Sequence, residues 1–382
     1  MKTLKTALEA AEEQHLYRRR RVLDSPQQPR LVVDGHPMLS FCSNDYLGLA
    51  NDRRIAAAFR SGIDRWGNGS GAAHLVTGHS RAHHALEEEL ADFTGRQRAL
   101  LFSSGYLANL AVVTSLCGRG DTVIQDKLDH ASLIDAARLS GADLKRYPHN
   151  DMTGAQQRLD AARGETLLTV DGVFSMDGDL ADLPALAELC GHKGAWLMVD
   201  DAHGLGVLDE QGRGSLAHFS LNVRQAPVLM GTLGKAFGTA GAFVAGDEDL
   251  VETLIQKGRS YIFTTALPAA VAEATRASLT ILRTENWRRE KLRDLVARFR
   301  RGARQLGFEL PSSITPIQPL VAGSAQTALA WSRILEEQGL LVTAIRPPTV
   351  PEGSARLRIT FSAAHEEKDV DALLGALEAI RP

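Results

Sequence analysis

Between residues 99 and 245 the sequence alternates short apolar runs with stretches of helical periodicity, a rhythm that few folds accommodate. The runs predicted as strands are Ala99–Phe102, Thr122–Gln125, Leu144–Tyr147, Thr166–Val170, Ala195–Val199, Val228–Gly231 and Gly241–Ala245. Helices are expected between most of them, at Ala108–Cys117, Leu133–Leu139, Ala155–Ala162 and Leu183–His192. Strands that alternate with helices predict an α/β fold, a mostly parallel sheet covered by helices on both faces. Ligands in such folds bind beyond the carboxyl ends of the strands.

The flanking sequence adds smaller elements. Met1 to about Arg21 is predicted as one amphipathic helix, with Leu4, Ala7, Leu8, Ala11, Leu16 and Tyr17 at helical spacing. It ends in four consecutive arginines, Arg18 to Arg21, a solvated face or an electrostatic patch for an anion. Leu31–Val33 and Met38–Phe41 flank Asp34-Gly35, the signature of a hairpin. Helices are expected at Arg53–Trp66 and His83–Phe93, and a long helical region over Ala269–Leu306. A smaller α/β segment follows from Pro316. Its alternating strand Arg356–Phe361 puts Arg356, Arg358 and Thr360 on one face, which on an edge strand would point to solvent. The expected domains are an N-terminal helical arm with hairpin (1–45), a large domain (46–285) and a smaller C-terminal α/β domain (286–382).

A chain of 382 residues, 44% of them hydrophobic, supports two or more such domains. Its formal net charge of −3 gives no reason to expect nucleic acid or an anionic membrane as partner. Cys42, Cys117 and Cys190 lie far apart, without metal-ligand or redox spacing, which fits a reduced cytoplasm. The N-terminus alternates charged and apolar residues, unlike a signal peptide, and no apolar run is long enough to span a bilayer.

Chemistry concentrates at predicted strand ends. Gly231-Thr232-Leu233-Gly234-Lys235-Ala236-Phe237-Gly238 follows one strand and sets a lysine among glycines and a threonine. Its backbone can approach a ligand closely, Thr232 and the loop amides suit a phosphate, and a shielded lysine becomes a nucleophilic amine. A solvated surface lysine is the plain alternative. A P-loop is excluded, because it requires glycine at 229 and Ser or Thr at 236 where the chain has Leu229 and Ala236. Gly67, Gly69 and Ala72 mimic a dinucleotide fingerprint but follow a helix, and Gly78-His79-Ser80 lacks the final glycine of a nucleophile elbow. Leu197–Gly204 ends a second strand in Asp200, Asp201 and His203. A carboxylate there can bind a metal, act as a base, cap a helix, or pair with a cationic ring nitrogen. Beside Lys235 the last role is attractive, and pyridoxal phosphate is the cofactor that needs it. His130, in Asp129-His130-Ala131-Ser132, offers a flat ring for stacking. Ser103-Ser104-Gly105-Tyr106 opens a helix whose N-terminal amides suit phosphate.

Together with Ser43-Asn44-Asp45-Tyr46-Leu47-Gly48, Gly172–Asp179 and Ile345-Arg346-Pro347-Pro348-Thr349-Val350-Pro351, these segments resemble the α-oxoamine synthases, fold type I enzymes that use pyridoxal 5'-phosphate. The resembling segments span nearly the whole chain. The resemblance implies that Lys235 is the Schiff-base lysine and the base for the substrate Cα proton. It implies that Asp200 pairs with the pyridine nitrogen, His203 bonds the phenolic oxygen and His130 stacks on the ring. Gly105, Tyr106, Ser175 and Thr232 would complete the cofactor site, with Arg18, Asn44, Arg346, Thr349 and Arg358 on the substrate side. The implied reaction is decarboxylative condensation of L-alanine with a pimeloyl thioester, pimeloyl-CoA or pimeloyl-carrier protein. Glycine or serine with another acyl-CoA is the alternative. The resemblance also implies a cytoplasmic homodimer with shared sites. Tyr261–Thr265 would then reach the partner's cofactor phosphate, the alternative being an ordinary strand and loop.

Overall fold

The structure is a computed structural model that describes residues 3–381. Its chain divides into two compact units, one of Met1–Asn51, Met176–Asp179 and Trp287–Pro382, the other of Asp52–Ser175 and Leu180–Asn286. The N-terminal arm thus falls with the C-terminal segment.

The arm opens with helix α1 (Leu4–Glu13), shorter than the periodicity predicted. His15 takes a left-handed conformation (φ 59°), and the Leu16 and Tyr17 N–H groups both fold back to Ala11 O. Beyond this stop the arginines leave the helix. Arg21 reaches Asp34 and bonds Glu336 through both terminal nitrogens, contacts that a continued helix would forgo. Strands β1 (Arg30–Val33) and β2 (His36–Ser40) form the predicted hairpin. Its two-residue turn needs positive φ at both positions, and Asp34 (50°) and Gly35 (79°) supply it.

The second unit begins with α2 (Arg53–Trp66) and α3 (Arg81–Thr94). It continues as β3 (Arg98–Phe102), α4 (Gly105–Leu116), β4 (Thr122–Asp126), α5 (Ala131–Ser140), β5 (Asp143–Tyr147), α6 (Met152–Asp160), β6 (Thr166–Asp171), α7 (Leu183–Lys193) and β7 (Trp196–Asp200). Next come α8 (Ser215–His218), β8 (Val228–Thr232), β9 (Ala242–Gly246), α9 (Glu248–Lys257), α10 (Arg259–Ile262) and α11 (Ala269–Thr284). The strands build one seven-stranded sheet in the order β3-β9-β8-β7-β6-β4-β5. All pairs are parallel except those of β9, which runs antiparallel to both β3 and β8. Strands β4, β7 and β9 carry apolar side chains on both faces because helices cover both, so Val123, Ile124, Val199 and Phe243 are fully buried. Every predicted strand of this sheet is present, and no end is shifted by more than one residue. Tyr261–Thr265 is not a strand: its first two residues end the short helix α10, and the rest is loop. Ser80, the rejected nucleophile, caps α3 by exchanging hydrogen bonds with His83.

The predicted helical region 269–306 breaks at Glu285-Asn286, and α12 (Trp287–Gln305) belongs to the first unit. That unit continues with β10 (Ile317–Gly323), α13 (Ala325–Glu337), β11 (Leu340–Leu341), β12 (Thr343–Ile345), β13 (Ala355–Thr360) and α14 (Glu367–Leu377). Strand β11 extends the hairpin sheet alongside β2, while β13 lies between β10 and β12. Since β13 is central, Arg356 and Arg358 do not point to solvent from an edge: they are 5% and 7% exposed. Arg356 is matched by Asp177, part of the four-residue excursion that joins this unit.

Candidate active site

Five strands of the second unit end at one cavity of about 180 Å³. Among its lining residues are Gly105 and Tyr106 after β3, His130 after β4, Asp171 and Ser175 at and after β6, Asp200 and His203 at and after β7, and Thr232 and Lys235 at and after β8. Parallel strands bring these residues together because their carboxyl ends lie side by side, as the register Asp171 opposite Asp200 illustrates.

The loop carrying Lys235 is closed on itself. Leu233 N–H donates to Gly241 O at 2.9 Å, Thr239 N–H to Leu233 O at 2.9 Å and Gly238 N–H to Lys235 O at 2.8 Å. The amine therefore stands on a fixed mount, with Nζ 2.7 Å from His203 Nε2. The Thr232 hydroxyl donates to Gly241 O and accepts from Gly234 N–H. Asp200 is 5% exposed and acts as an acceptor on both oxygens, from Asn109 Nδ2 at 2.8 Å and from Ala202 N–H at 3.1 Å. Burial lowers the His130 pKa despite the nearby Asp200, which favours the neutral ring. Asp171 lies opposite, its pKa raised well above the usual carboxylate range by burial and then by the charge of Asp200. Helix α4 begins at Gly105, capped by the Ser104 hydroxyl, which accepts from Leu107 N–H. The first-turn amides of such a helix have no partner within it and favour an anion.

Asp201, the other carboxyl of the pair, is fully buried. It accepts from Ser215 N–H at 2.7 Å, and burial pushes its pKa up to about 7. Glycines enclose it: a Cβ on Gly214 would lie 1.9 Å from its Oδ2. It organises the segment after β7 and does not line the cavity.

These residues fit pyridoxal phosphate. The cavity offers an amine for the aldehyde, a carboxylate for the ring nitrogen, an imidazole face, and a helix start with two hydroxyls, Ser175 and Thr232, for phosphate. Asp171 Oδ1, buried without a hydrogen-bond partner, lines the same space. Three polar lining residues were given no role from the sequence: Asn109, Ser132 and Asp171. Asn109 carried a signal, as a polar residue in the apolar run Leu107–Val113 one helical turn after Gly105.

The five residues expected on the substrate side belong to the other unit and form two sets. Arg18 donates to Thr349 Oγ1 at 3.4 Å, and Arg346 donates to His15 O and Tyr17 O. Arg18, Arg346 and Thr349 line a cavity of about 250 Å³ with Leu16, Thr343 and Pro347. In the second set, both terminal nitrogens of Arg358 bond Asn44 Oδ1 at 3.2 Å. Tyr46 bonds the same oxygen at 3.2 Å.

Comparison with known proteins identifies the family and its cofactor. The profile of the aminotransferase class I and II family matches residues 36–377. The 8-amino-7-oxononanoate synthase of Pseudomonas syringae pv. tomato is 61% identical over 379 residues, covering 99% of this chain and 96% of that protein. The enzyme of the same name from Thioalkalivibrio sulfidiphilus is 63% identical over 380 residues, covering 99% and 97%. Among solved structures, the serine palmitoyltransferase of S. paucimobilis, with PLP bound, superposes with a TM-score of 0.93 at 28% identity, covering 98% and 96%. An 8-amino-7-oxononanoate synthase from Francisella tularensis gives 0.80 at 32% identity, covering 90% and 97%. The cofactor is therefore pyridoxal phosphate, and the central sheet is that of the fold type I enzymes that use it. Identity this high over nearly the full length of both sequences leaves one conclusion: the chain belongs to the aminotransferase class I and II family and, within it, to the 8-amino-7-oxononanoate synthases.

Proposed function

We propose that the protein condenses L-alanine with a pimeloyl thioester, releasing carbon dioxide, the free thiol carrier and 8-amino-7-oxononanoate, a step of biotin biosynthesis. The observation that carries this reading is the pairing of Lys235 Nζ with His203 at 2.7 Å in the cavity that Asp200 and His130 also line, in a chain about 60% identical to synthases of that name. Bound pyridoxal phosphate supplies the electron sink that stabilises a carbanion at the amino acid Cα.

The protein supplies position and proton control. Lys235 would hold the cofactor through its aldehyde, and its amine is placed to take the Cα proton of alanine and to return one to the product. Asp200 keeps the pyridine nitrogen protonated by its charge. His203 would bond the phenolic oxygen, and His130, as a neutral imidazole, would stack on the ring. The start of α4, with Tyr106, Ser175 and Thr232, holds the phosphate. On the substrate side Arg358, with Asn44, anchors the alanine carboxylate, since an arginine fork matches a carboxylate with two parallel hydrogen bonds. Arg346, Arg18 and Thr349 contact the substrates as the reaction advances. The working form is a cytoplasmic homodimer, with the 261–265 segment facing the partner's cofactor phosphate. No helix among the described residues is long and apolar enough to cross a membrane.

One assay tests the reading: purified protein with pyridoxal phosphate and alanine, glycine or serine, each with and without pimeloyl-CoA. Alanine-dependent release of carbon dioxide and free thiol is expected. Turnover with serine or glycine and a different acyl-CoA, but none with alanine, would assign the protein to a sister reaction closer to that of its serine palmitoyltransferase neighbours.

A further inference from the structure

Asp200 and His130 are joined inside the protein by two residues that the reaction itself does not require. The Asn109 amide nitrogen donates to Asp200 Oδ2 at 2.8 Å and to Ser132 Oγ at 2.8 Å. Ser132 Oγ in turn lies 2.7 Å from His130 Nδ1. Asn109 and Ser132 are 1% and 0% exposed, so the link is shielded from bulk solvent.

The direction of every proton in this chain follows from its geometry. The Ser132 backbone N–H, which can only donate, also points at His130 Nδ1, at 3.3 Å. That nitrogen must therefore be the acceptor, and the imidazole carries its proton on Nε2. The Ser132 hydroxyl then donates to Nδ1 and uses a lone pair to accept from Asn109. Both Asn109 amide protons are committed, one to a carboxylate and one to a hydroxyl. Reversing that amide would set its oxygen against the Asp200 carboxylate. Its Oδ1 has no partner, so nothing else fixes the orientation.

We propose that Asn109 and Ser132 are positioning residues forming a hydrogen-bond wire that couples the charge of Asp200 to the tautomer of His130. An ionised Asp200 holds the Asn109 amide nitrogen inward. This leaves the Ser132 hydroxyl proton for His130 and fixes the ring as its Nε2–H form. The tasks of Asp200 and His130 rest on the function proposed above. The wire is a property of the protein alone and is read without the cofactor.

The test is nitrogen NMR of the full-length chain labelled with ¹⁵N-histidine, without and then with pyridoxal phosphate, the His130 signals being assigned by their loss in His130→Gln. The expected parent spectrum shows His130 as a single neutral tautomer with unprotonated Nδ1. Ser132→Ala removes the 2.7 Å hydroxyl bond and leaves Nδ1 only the longer 3.3 Å contact from the backbone N–H, so the single tautomer should give way to a mixture. Asp200→Asn should do the same from the far end of the wire: its amide lets Asn109 reverse, and the Ser132 proton then turns to Asn109 Oδ1. The double variant should differ little from Ser132→Ala alone. Asn109→Ser, a small polar replacement that removes the double donor, is expected to loosen the same signal and serves if Asp200→Asn does not fold. An Nδ1-protonated His130 in the parent overturns the proposal, as does a Ser132→Ala spectrum unchanged at His130. It is equally overturned if Ser132→Ala shifts His130 while both Asp200→Asn and Asn109→Ser leave it in place. If the signals behave as expected while the alanine assay fails, the wire stands and the assigned reaction falls.

Discussion

Replacing Asp200 by asparagine keeps the shape of the side chain and removes its charge. In the parent, both oxygens accept, from Asn109 and from Ala202 N–H. An asparagine has one acceptor, so one of these donors faces an amide NH₂ unless Asn109 reverses. A buried conflict of this kind costs about 1–3 kcal/mol. On the site assignment proposed above, the cofactor would also lose a charged hydrogen bond at its ring nitrogen, worth about 1.5–3 kcal/mol, or roughly 10- to 150-fold in affinity. It would keep the proposed contacts to Lys235, the start of α4, Ser175 and Thr232, so binding should be weakened and not abolished. Turnover suffers more, because the charge acts where the carbanion develops. The loss of one preorganised electrostatic partner lowers rates by about 10²–10³. Equilibrium dialysis of pyridoxal phosphate and alanine-dependent thiol release measure the two effects separately. Normal turnover in Asp200→Asn would refute the argument and pass the role to another carboxyl. Asp201 is poorly placed to take it, fully buried and bonded to Ser215 N–H.

Lys235→Ala should still bind pyridoxal phosphate but complete no catalytic cycle, and borohydride treatment of the parent should leave the cofactor label on the Lys235 peptide and nowhere else. Arg358→Lys keeps the charge but loses the fork that bonds Asn44, so alanine affinity should fall by about 1.5–3 kcal/mol, whereas Arg346→Lys should leave that affinity nearly unchanged and slow a later step. Spectroscopic titration with alanine separates the two, and unaltered affinity in Arg358→Lys removes it as the anchor. Burial pushes Glu87 from an ordinary 4.5 up to about 8, so between these values the folded chain holds a proton that the unfolded chain releases, and stability falls as pH rises. Glu87→Gln keeps an acceptor for Leu101 N–H and removes this titration. The variant should gain on the parent from pH 5 to 8 by at most about 4 kcal/mol, at no more than about 1.4 kcal/mol per pH unit, and parallel denaturation curves across that range would contradict the assignment.

The strands of the large sheet were legible because two-sided burial writes an apolar run for each of them, as in Leu197-Met198-Val199. Lys235, Asp200 and His203 stood out for the same reason: polar residues directly after such runs have few uses other than chemistry. The ends of helices without strong caps were not legible. Helix α1 stops at Glu13 because His15 turns left-handed and Arg21 finds two carboxylates far off in sequence, neither of which local periodicity records. Ser132 escaped because it reads locally as an ordinary helix residue, and the polar break at Asn109 in an apolar run does not name its partners, which lie 91 and 23 positions away. Strand order was hidden as well, since no feature of Arg98–Phe102 announces that its neighbour is Ala242–Gly246.

That last pairing has a cost during synthesis. Strand β3 sits at the edge of the sheet and pairs only with β9, which the ribosome delivers roughly 140 residues later. At about 5–20 residues per second, Leu100, Leu101 and Phe102 wait on the order of ten seconds for the strand that will cover their hydrogen-bonding edge. Over that interval the nascent chain presents an unpaired apolar strand edge, the kind of surface that chaperones bind and that neighbouring chains on a polysome can capture.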